Sequence, residues 1–294
     1  MFNMALIGCG YWGSKLMRYI EDNKDFNLEY VCDSKTELNK VWEDEGIHAV
    51  GIVVRNEQRY NIVRDALLSG KHVLCEKPLA LKTTEANELK QLALDYNLAL
   101  LVDYTWTFSE GLKKATEAII LGVIGDILGI EMNIKHLGRF YGGSVYWLLG
   151  SHGLSILDMF VSLRNLRFSK QDLVVHDGNV ETGVIYFTGE QASGQILLSL
   201  NYPDKATEVI IYGSKGTIIY SPLKQPSLTI ENYERLEWTL GSELPKKRTT
   251  YCIDEGNNLR YAVEYFAEVL KDKKVGNLDC AVAITEILEG IQKC

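Results

Sequence analysis

The sequence predicts an α/β chain in two parts. The N-terminal domain is built on a parallel sheet; the C-terminal domain is α+β, with a large, open, mostly antiparallel sheet. Three observations carry this. From residue 2 to about 102, short apolar runs alternate with amphipathic stretches of helical period, which is the pattern of a parallel sheet covered by helices. After about residue 122, strand-like runs follow one another through short polar or glycine-containing turns, the grammar of antiparallel pairing. The first apolar run, Met4 to Ile7, passes through Gly8-Cys9-Gly10-Tyr11-Trp12-Gly13 into a polar helix start. The domains are therefore 1–121 and 122–294, with C-terminal helices able to pack back toward the first.

In the first domain strands are expected at 2–8, 28–32, 48–54, 72–75 and 98–102, and helices at 14–21, 36–44, 57–69 and 84–96. In the fourth helix Ala86, Leu89, Leu92 and Ala93 share one apolar face behind a Thr83 or Thr84 cap. Residues 108–121 read as a helix leading out. Strands then follow at 126–136, 172–176, 180–187, 194–201, 206–212, 216–220, 227–231 and 235–240, with helices at 147–163, 257–271 and 278–292.

Composition bounds the function. With 46% hydrophobic and 24% charged residues among 294, the chain reads as a soluble globular protein. No apolar run reaches the ~18–20 residues that cross a bilayer, and no signal peptide is read, so the expectation is a cytoplasmic protein. A net charge of −8 argues against a nucleic-acid surface. Cysteines 9, 32, 75, 252, 280 and 294 lack C-x-x-C spacing, so neither zinc nor a disulfide framework is expected. His48, His72 and His176 lack ligand spacing and read as structural, and no metal is expected.

The glycine turn has a chemical reading. Gly8 permits the tight turn, Gly10 lets the backbone approach a pyrophosphate, and Gly13 lets helix and strand pack closely. N–H groups at the helix start, around Tyr11 and Trp12, then face the dinucleotide's charge. The second apolar run ends in Asp33, followed by Ser34, 20 residues after Gly13, where a carboxylate holds a ribose 2′-OH. This favours NAD; Lys35 nearby weakens the preference and leaves NADP open.

Residues 70–80 read Gly-Lys-His-Val-Leu-Cys-Glu-Lys-Pro-Leu-Ala. Glu76 and Lys77 thus close the fourth strand, where open α/β sheets bind ligands, with Pro78 stiffening the loop. Taken alone, such a pair is usually a surface feature of little energetic weight. Together with the glycine turn, however, this stretch resembles the glucose-fructose oxidoreductase, inositol dehydrogenase and MocA family, and GCGYWG is similar to its sugar and nucleotide-sugar branch. Ile124-Gly125-Asp126-Ile127 and Gly213-Ser214-Lys215-Gly216-Thr217 extend the resemblance into the second domain. It implies a Rossmann domain followed by an α/β domain with an open sheet, and hydride transfer between NAD(P) and a secondary alcohol of a sugar or polyol.

The resemblance assigns Lys77 to contact both nicotinamide and substrate, and His152 as the acid/base. An imidazole suits the proton transfer and an ammonium the developing alkoxide; a capping or packed role for His152 is the plainer alternative. The family's aspartate, four residues before the histidine, is Leu148 here, and the residue after it is Gly153. Tyr146 is the nearest replacement for the lost carboxylate. The family's threonine-proline pair after the third strand is Val54-Arg55, and Arg59 takes the place of a histidine. Arg55 reads equally as an anion contact beside the cofactor or a solvated charge, and for Arg59 the solvated reading weighs more.

Arg139 and Tyr141, in the loop before the histidine helix, could meet a substrate anion and ring, or be ordinary loop residues. Trp106 is a further substrate candidate; for it and Trp147 a core role weighs more. Expected partners are a small sugar-like substrate and a second copy, in a homodimer or homotetramer paired through the open sheet. The alternative function is a dinucleotide-binding sensor or regulatory protein that has lost the reaction with the aspartate.

Overall fold

The computed structural model describes residues 1–137, 143–233 and 246–293. By its contacts the chain divides into two compact units, residues 1–105 with 257–289, and residues 106–256 with 290–294. The first unit thus ends before the helix that was expected to close it, and takes in chain from the C-terminal part.

In the first unit β1 (Phe2–Ile7), β2 (Phe26–Cys32), β3 (Ala49–Ile52), β4 (His72–Glu76) and β5 (Leu100–Asp103) form a parallel sheet in the order β2-β1-β3-β4-β5. The helices are α1 (Tyr11–Glu21), the short α2 (Asn39–Trp42), α3 (Asn56–Leu68) and α4 (Thr83–Asp95). β3 is buried at every position and β1 over its last four, which is why these strands read as unbroken apolar runs rather than alternating ones. A parallel sheet sets all its carboxyl ends along one edge, so Ile7, Cys32, Ile52, Glu76 and Asp103 end together.

Beyond the second unit the chain returns as α7 (Asn258–Lys271) and α8 (Leu278–Lys293). Val263, Phe266, Ala267 and Leu270 of α7 join Met4, Leu6, Leu16, Ile20 and Leu101 in one buried cluster, and Phe266 stacks on Phe26 at 5.9 Å. The segment before α8 covers the outer edge of β5. The Val275 carbonyl accepts from Leu100 N, and the Asn277 amide exchanges two bonds with the Val102 backbone. An edge that would otherwise stay open is thereby paired.

The second unit is a mixed eight-stranded sheet, β13-β12-β11-β10-β6-β9-β8-β7. Its strands are β6 (Ile127–Leu137), β7 (Arg167–His176), β8 (Asn179–Thr188), β9 (Ser193–Ser199), β10 (Asn201–Gly213), β11 (Gly216–Tyr220), β12 (Leu228–Tyr233) and β13 (Lys246–Tyr251). All neighbours pair antiparallel except β6 with β9. The strand expected at 235–240 lies outside the described residues. The helix leading out begins later than expected, as α5 (Glu110–Ile120) behind a 3₁₀ turn at Thr105–Phe108. Ser109 caps α5 by accepting from Leu112 N and in turn bonds Glu255, while its hydroxyl also meets Tyr220. The expected helix 147–163 is instead a π-type turn, Tyr146–Gly150, running into α6 (Ser151–Asp158). Among the described residues no helix is long and apolar enough to cross a membrane.

Candidate cofactor and active site

The glycine turn leaves β1 through Gly8, whose φ of +96° suits glycine. A Cβ there would collide with the Val53 carbonyl, and one on Gly13 with the Gly8 carbonyl. Gly8 and Gly13 are therefore glycines because strand, turn and helix touch. Gly10 differs. It has an ordinary backbone, and a Cβ on it would meet nothing within 4 Å. The chain itself gives no reason for a glycine there, which is what a backbone approached by a ligand looks like. Gly10 precedes α1 without a side-chain cap, and no acidic residue sits in the first turn, so the positive helix end is left for an external anion. Tyr11 and Trp12 stand exposed beside it, edge to face at 5.4 Å, with Lys15 Nζ over both rings at 4.4 and 4.6 Å.

Asp33 follows β2 at the same sheet edge. Its Oδ1 accepts from the Thr36 hydroxyl at 2.8 Å and Lys35 N at 3.0 Å, and these bonds hold its carboxyl below the usual range. The carboxylate is thus charged and oriented in an exposed turn shared with Ser34. Arg55 is exposed at the start of α3.

Arg59 overturns its expected role as a solvated charge. It is 3% exposed, and its guanidinium donates to the Asn56 side chain at 3.0 Å, the Val54 carbonyl at 2.8 Å and the Pro78 carbonyl at 2.5 Å. Its place on the inner face of α3, one turn from Arg55, turns it into the sheet rather than the solvent.

Lys77 follows the end of β4, part-buried, with its backbone N–H on Glu76 Oε2. Burial pulls its ammonium down to about 8; Glu76 and Asp103 oppose this, and Arg59 adds to it. Burial pushes the Glu76 carboxyl up, against Lys77 and Arg59. Asp103 is a site residue that no motif in the sequence singles out. It closes β5 directly opposite Glu76, is 3% exposed, and its Oδ1 has no hydrogen-bond partner among the described residues. Burial, then the Glu76 charge, push it well above the ordinary carboxylate value, while a bond from Thr105 and the Lys77 charge oppose. A carboxylate ending an apolar strand, as Asp33 ends another, was the signal available. The neighbouring Cys75 thiol is pushed up to about 12 by burial and is inert.

In the second unit His152 is the second residue of α6, part-buried, its carbonyl accepting from Ser155. Gly153 explains one departure from the family pattern. A Cβ there would lie 2.7 Å from Ile196 on β9, so α6 rides too close to the sheet for an aspartate. A Cβ on Gly143 would lie 3.3 Å from the Leu148 side chain, so leucine here sits against a glycine.

Tyr146 is corrected. It is 2% exposed, and its hydroxyl donates toward Asp172 Oδ1 at 2.7 Å and the Gln171 carbonyl at 3.1 Å; burial and Asp172 push it up. It anchors the π-type turn to β7 and is no substitute for the absent carboxylate. Trp147 is buried, with Nε1 on Gln292, and Trp106 is part-buried in the 3₁₀ turn. Arg139 and Tyr141 lie outside the described residues. A groove of about 650 Å³ in this unit is lined by Asn165, Arg167 and Glu190 and includes neither His152 nor Tyr146. His48 and His72 accept from backbone N–H groups, each at 2.9 Å, and His176 lies exposed near Asp177 and Glu181. Among the described residues no His/Cys/Asp/Glu group could hold a metal.

Comparison with known proteins bears on this arrangement. Residues 24–104 match the model of the Gfo/Idh/MocA oxidoreductase family, NAD-binding Rossmann fold. The chain is similar to trans-1,2-dihydrobenzene-1,2-diol dehydrogenase of Mus musculus, at 26% identity over 95% of this chain and 85% of that protein. It is also similar to 2,7-anhydro-N-acetylneuraminate hydratase of Escherichia coli, at 23% identity over 74% and 67%. KijD10, a 3-ketoreductase from Actinomadura kijaniata solved with TDP-benzene and NADP, shares the fold, with a TM-score of 0.83 at 15% identity over 99% of this chain and 96% of that one. The chain spans 37–39% of the length of the first curated relatives it matches.

Proposed function

We propose, from the match of residues 24–104 to the Gfo/Idh/MocA oxidoreductase family and the likeness to the mouse dehydrogenase, an NAD(P)-dependent oxidoreductase acting on a secondary alcohol or ketone of a sugar, polyol or nucleotide sugar. The observation that carries the reading is Lys77, a part-buried lysine lowered to about 8, on the sheet edge that also bears the glycine turn. The open space at Gly10 and the oriented Asp33 fit a dinucleotide. Bound there, the nicotinamide supplies the hydride acceptor or donor.

The chain's own residues do the rest. Gly8, Gly10 and Gly13 with the start of α1 seat the diphosphate, and Asp33 accepts from a ribose hydroxyl, favouring NAD over NADP. The Lys77 ammonium offsets negative charge growing on the substrate oxygen. His152 takes or returns the hydroxyl proton. A second copy is the proposed partner. Edge strand β7 exposes Leu173, Val174 and Val175 in succession, a run suited to pairing, and a monomer by light scattering at micromolar concentration would count against it.

Fluorescence titration with NADH and NADPH, then a panel of nucleotide sugars with NAD followed at the reduced-nicotinamide band, tests the reading. Turnover that Lys77→Ala and His152→Ala both abolish supports it. Leu148 in the aspartate's place favours one second reading, a dinucleotide-binding sensor; tight cofactor binding with no turnover on any sugar would select it.

A further inference from the structure

We propose that Arg59 is a positioning residue for Lys77, a buried tie that holds the loop after β4 against the loop after β3. The inference rests on the oxidoreductase reading insofar as Lys77 acts on substrate.

The geometry is local to the first unit. Val53 packs on the glycine turn so closely that Gly8 has no room for a Cβ. One residue on, the Val54 carbonyl accepts from Arg59 Nη2; Nη1 of the same guanidinium reaches the Pro78 carbonyl, one residue past Lys77. Asn56 Oδ1 holds Nη1 from a third side. The loop after β3, which packs on the glycine turn through Val53, and the loop that presents the lysine are therefore fixed to one planar group. At 3% exposure water cannot replace those bonds. A single fork that serves acceptors in two loops is a property of arginine, and an ammonium on a flexible stem lacks it.

Arg59 also acts by charge. The groups that face Lys77 are Glu76 on β4, Asp103 on β5 and Arg59 on α3; the carboxylates favour its ammonium and Arg59 disfavours it. Arg59 thus ties the loop that carries Lys77 and adds to the lowering that burial imposes on its ammonium.

Two variants separate place from charge. Arg59→Lys keeps the charge and loses the fork; Arg59→Gln keeps one donor and loses the charge. In Arg59→Lys, kcat is expected to fall ~10–100-fold, the scale of a small misplacement of a reacting group, with the NADH dissociation constant and KM within about threefold of wild type. The titration of Lys77 is read on the protein without cofactor, by pH-dependent acetylation and mass spectrometry. In Arg59→Gln its midpoint is expected to rise above about 8, while burial still holds it below the ordinary lysine value. In Arg59→Lys it stays. Wild-type kcat in Arg59→Lys, or an unmoved Lys77 midpoint in Arg59→Gln, would overturn the proposal. Should Arg59→Gln fail to fold, the kcat and KM of Arg59→Lys decide alone. A wild-type protein that turns over no sugar sinks the oxidoreductase reading instead, and the acetylation midpoint still tests Arg59.

Discussion

The carboxyl edge of the first sheet and the π-type turn before His152 deliver candidate groups in opposite ways. At the sheet edge Gly8, Asp33, Glu76, Lys77 and Asp103 each end or follow a strand, and parallel topology gathers them without help from their neighbours in sequence. Around His152, position depends on distant anchors: Tyr146 is tied to Asp172, 26 residues on, and Trp147 to Gln292, 145 residues on. Groups placed by strand ends are robust to local change. Groups placed by a helix register move whenever an anchor moves.

The sharpest way to break the comparison is to remove the chemistry from each side. Lys77→Ala and His152→Asn are each expected to lower kcat ~10²–10⁴-fold, the scale of a lost charge stabiliser or general acid–base group. NADH binding by fluorescence should stay within about threefold for His152→Asn. If His152→Asn retains a third of wild-type kcat, the π-type turn carries structure alone.

Within the sheet edge, three glycines of one motif divide by cause. Gly8→Ala and Gly13→Ala drive a Cβ into backbone, and urea unfolding should show about 3 kcal/mol lost in each. Gly10→Ala meets open space and ordinary dihedrals; its stability should stay within about 0.5 kcal/mol, while NADH binding weakens ~10-fold or more. Equal stability losses at all three positions would remove the argument that Gly10 is kept for a ligand.

A smaller effect tests the charge of Lys77. Its value is lowered to about 8, so the ammonium is present below that pH and is lost as pH rises through it. The rate of hydride transfer at saturating substrate should therefore decline through about pH 8, and a profile flat to pH 10 would show that the ammonium is not used.

Legibility followed the same divide. The glycine turn, Asp33 and Glu-Lys-Pro were readable because each is a contiguous string beside an apolar run, and the Ala86/Leu89/Ala93 face located α4 within a residue of Thr83–Asp95. Arg59 was misread because the sequence shows a charge near a helix start but not which helix face meets the sheet. Asp103 was missed because its partner, Glu76, is a neighbour only across the β4–β5 ladder. The β7–β8 hairpin extends beyond the apolar runs expected there, since β7 is largely exposed and carries little alternation to detect. Within the mostly antiparallel sheet the parallel β6–β9 pair was not legible because its paired residues stand 64 apart in the chain, Gly129 to Ser193 through Lys135 to Ser199.

Tyr146 shows how far a residue type can mislead. A tyrosine six residues before a histidine looks like a spare proton carrier, yet its hydroxyl is spent on Asp172 and the Gln171 carbonyl, under a Gly183 that a Cβ would drive into it. Asp172 keeps its bond from Lys170 when the hydroxyl is gone, and both acceptors that lose it belong to residues exposed to water. Tyr146→Phe should then cost about 1 kcal/mol in urea unfolding and leave the alkaline decline of the rate where it was. A shift of that decline, or a kcat reduced as far as in His152→Asn, would place Tyr146 in the proton path after all and make its bond to Asp172 a functional one.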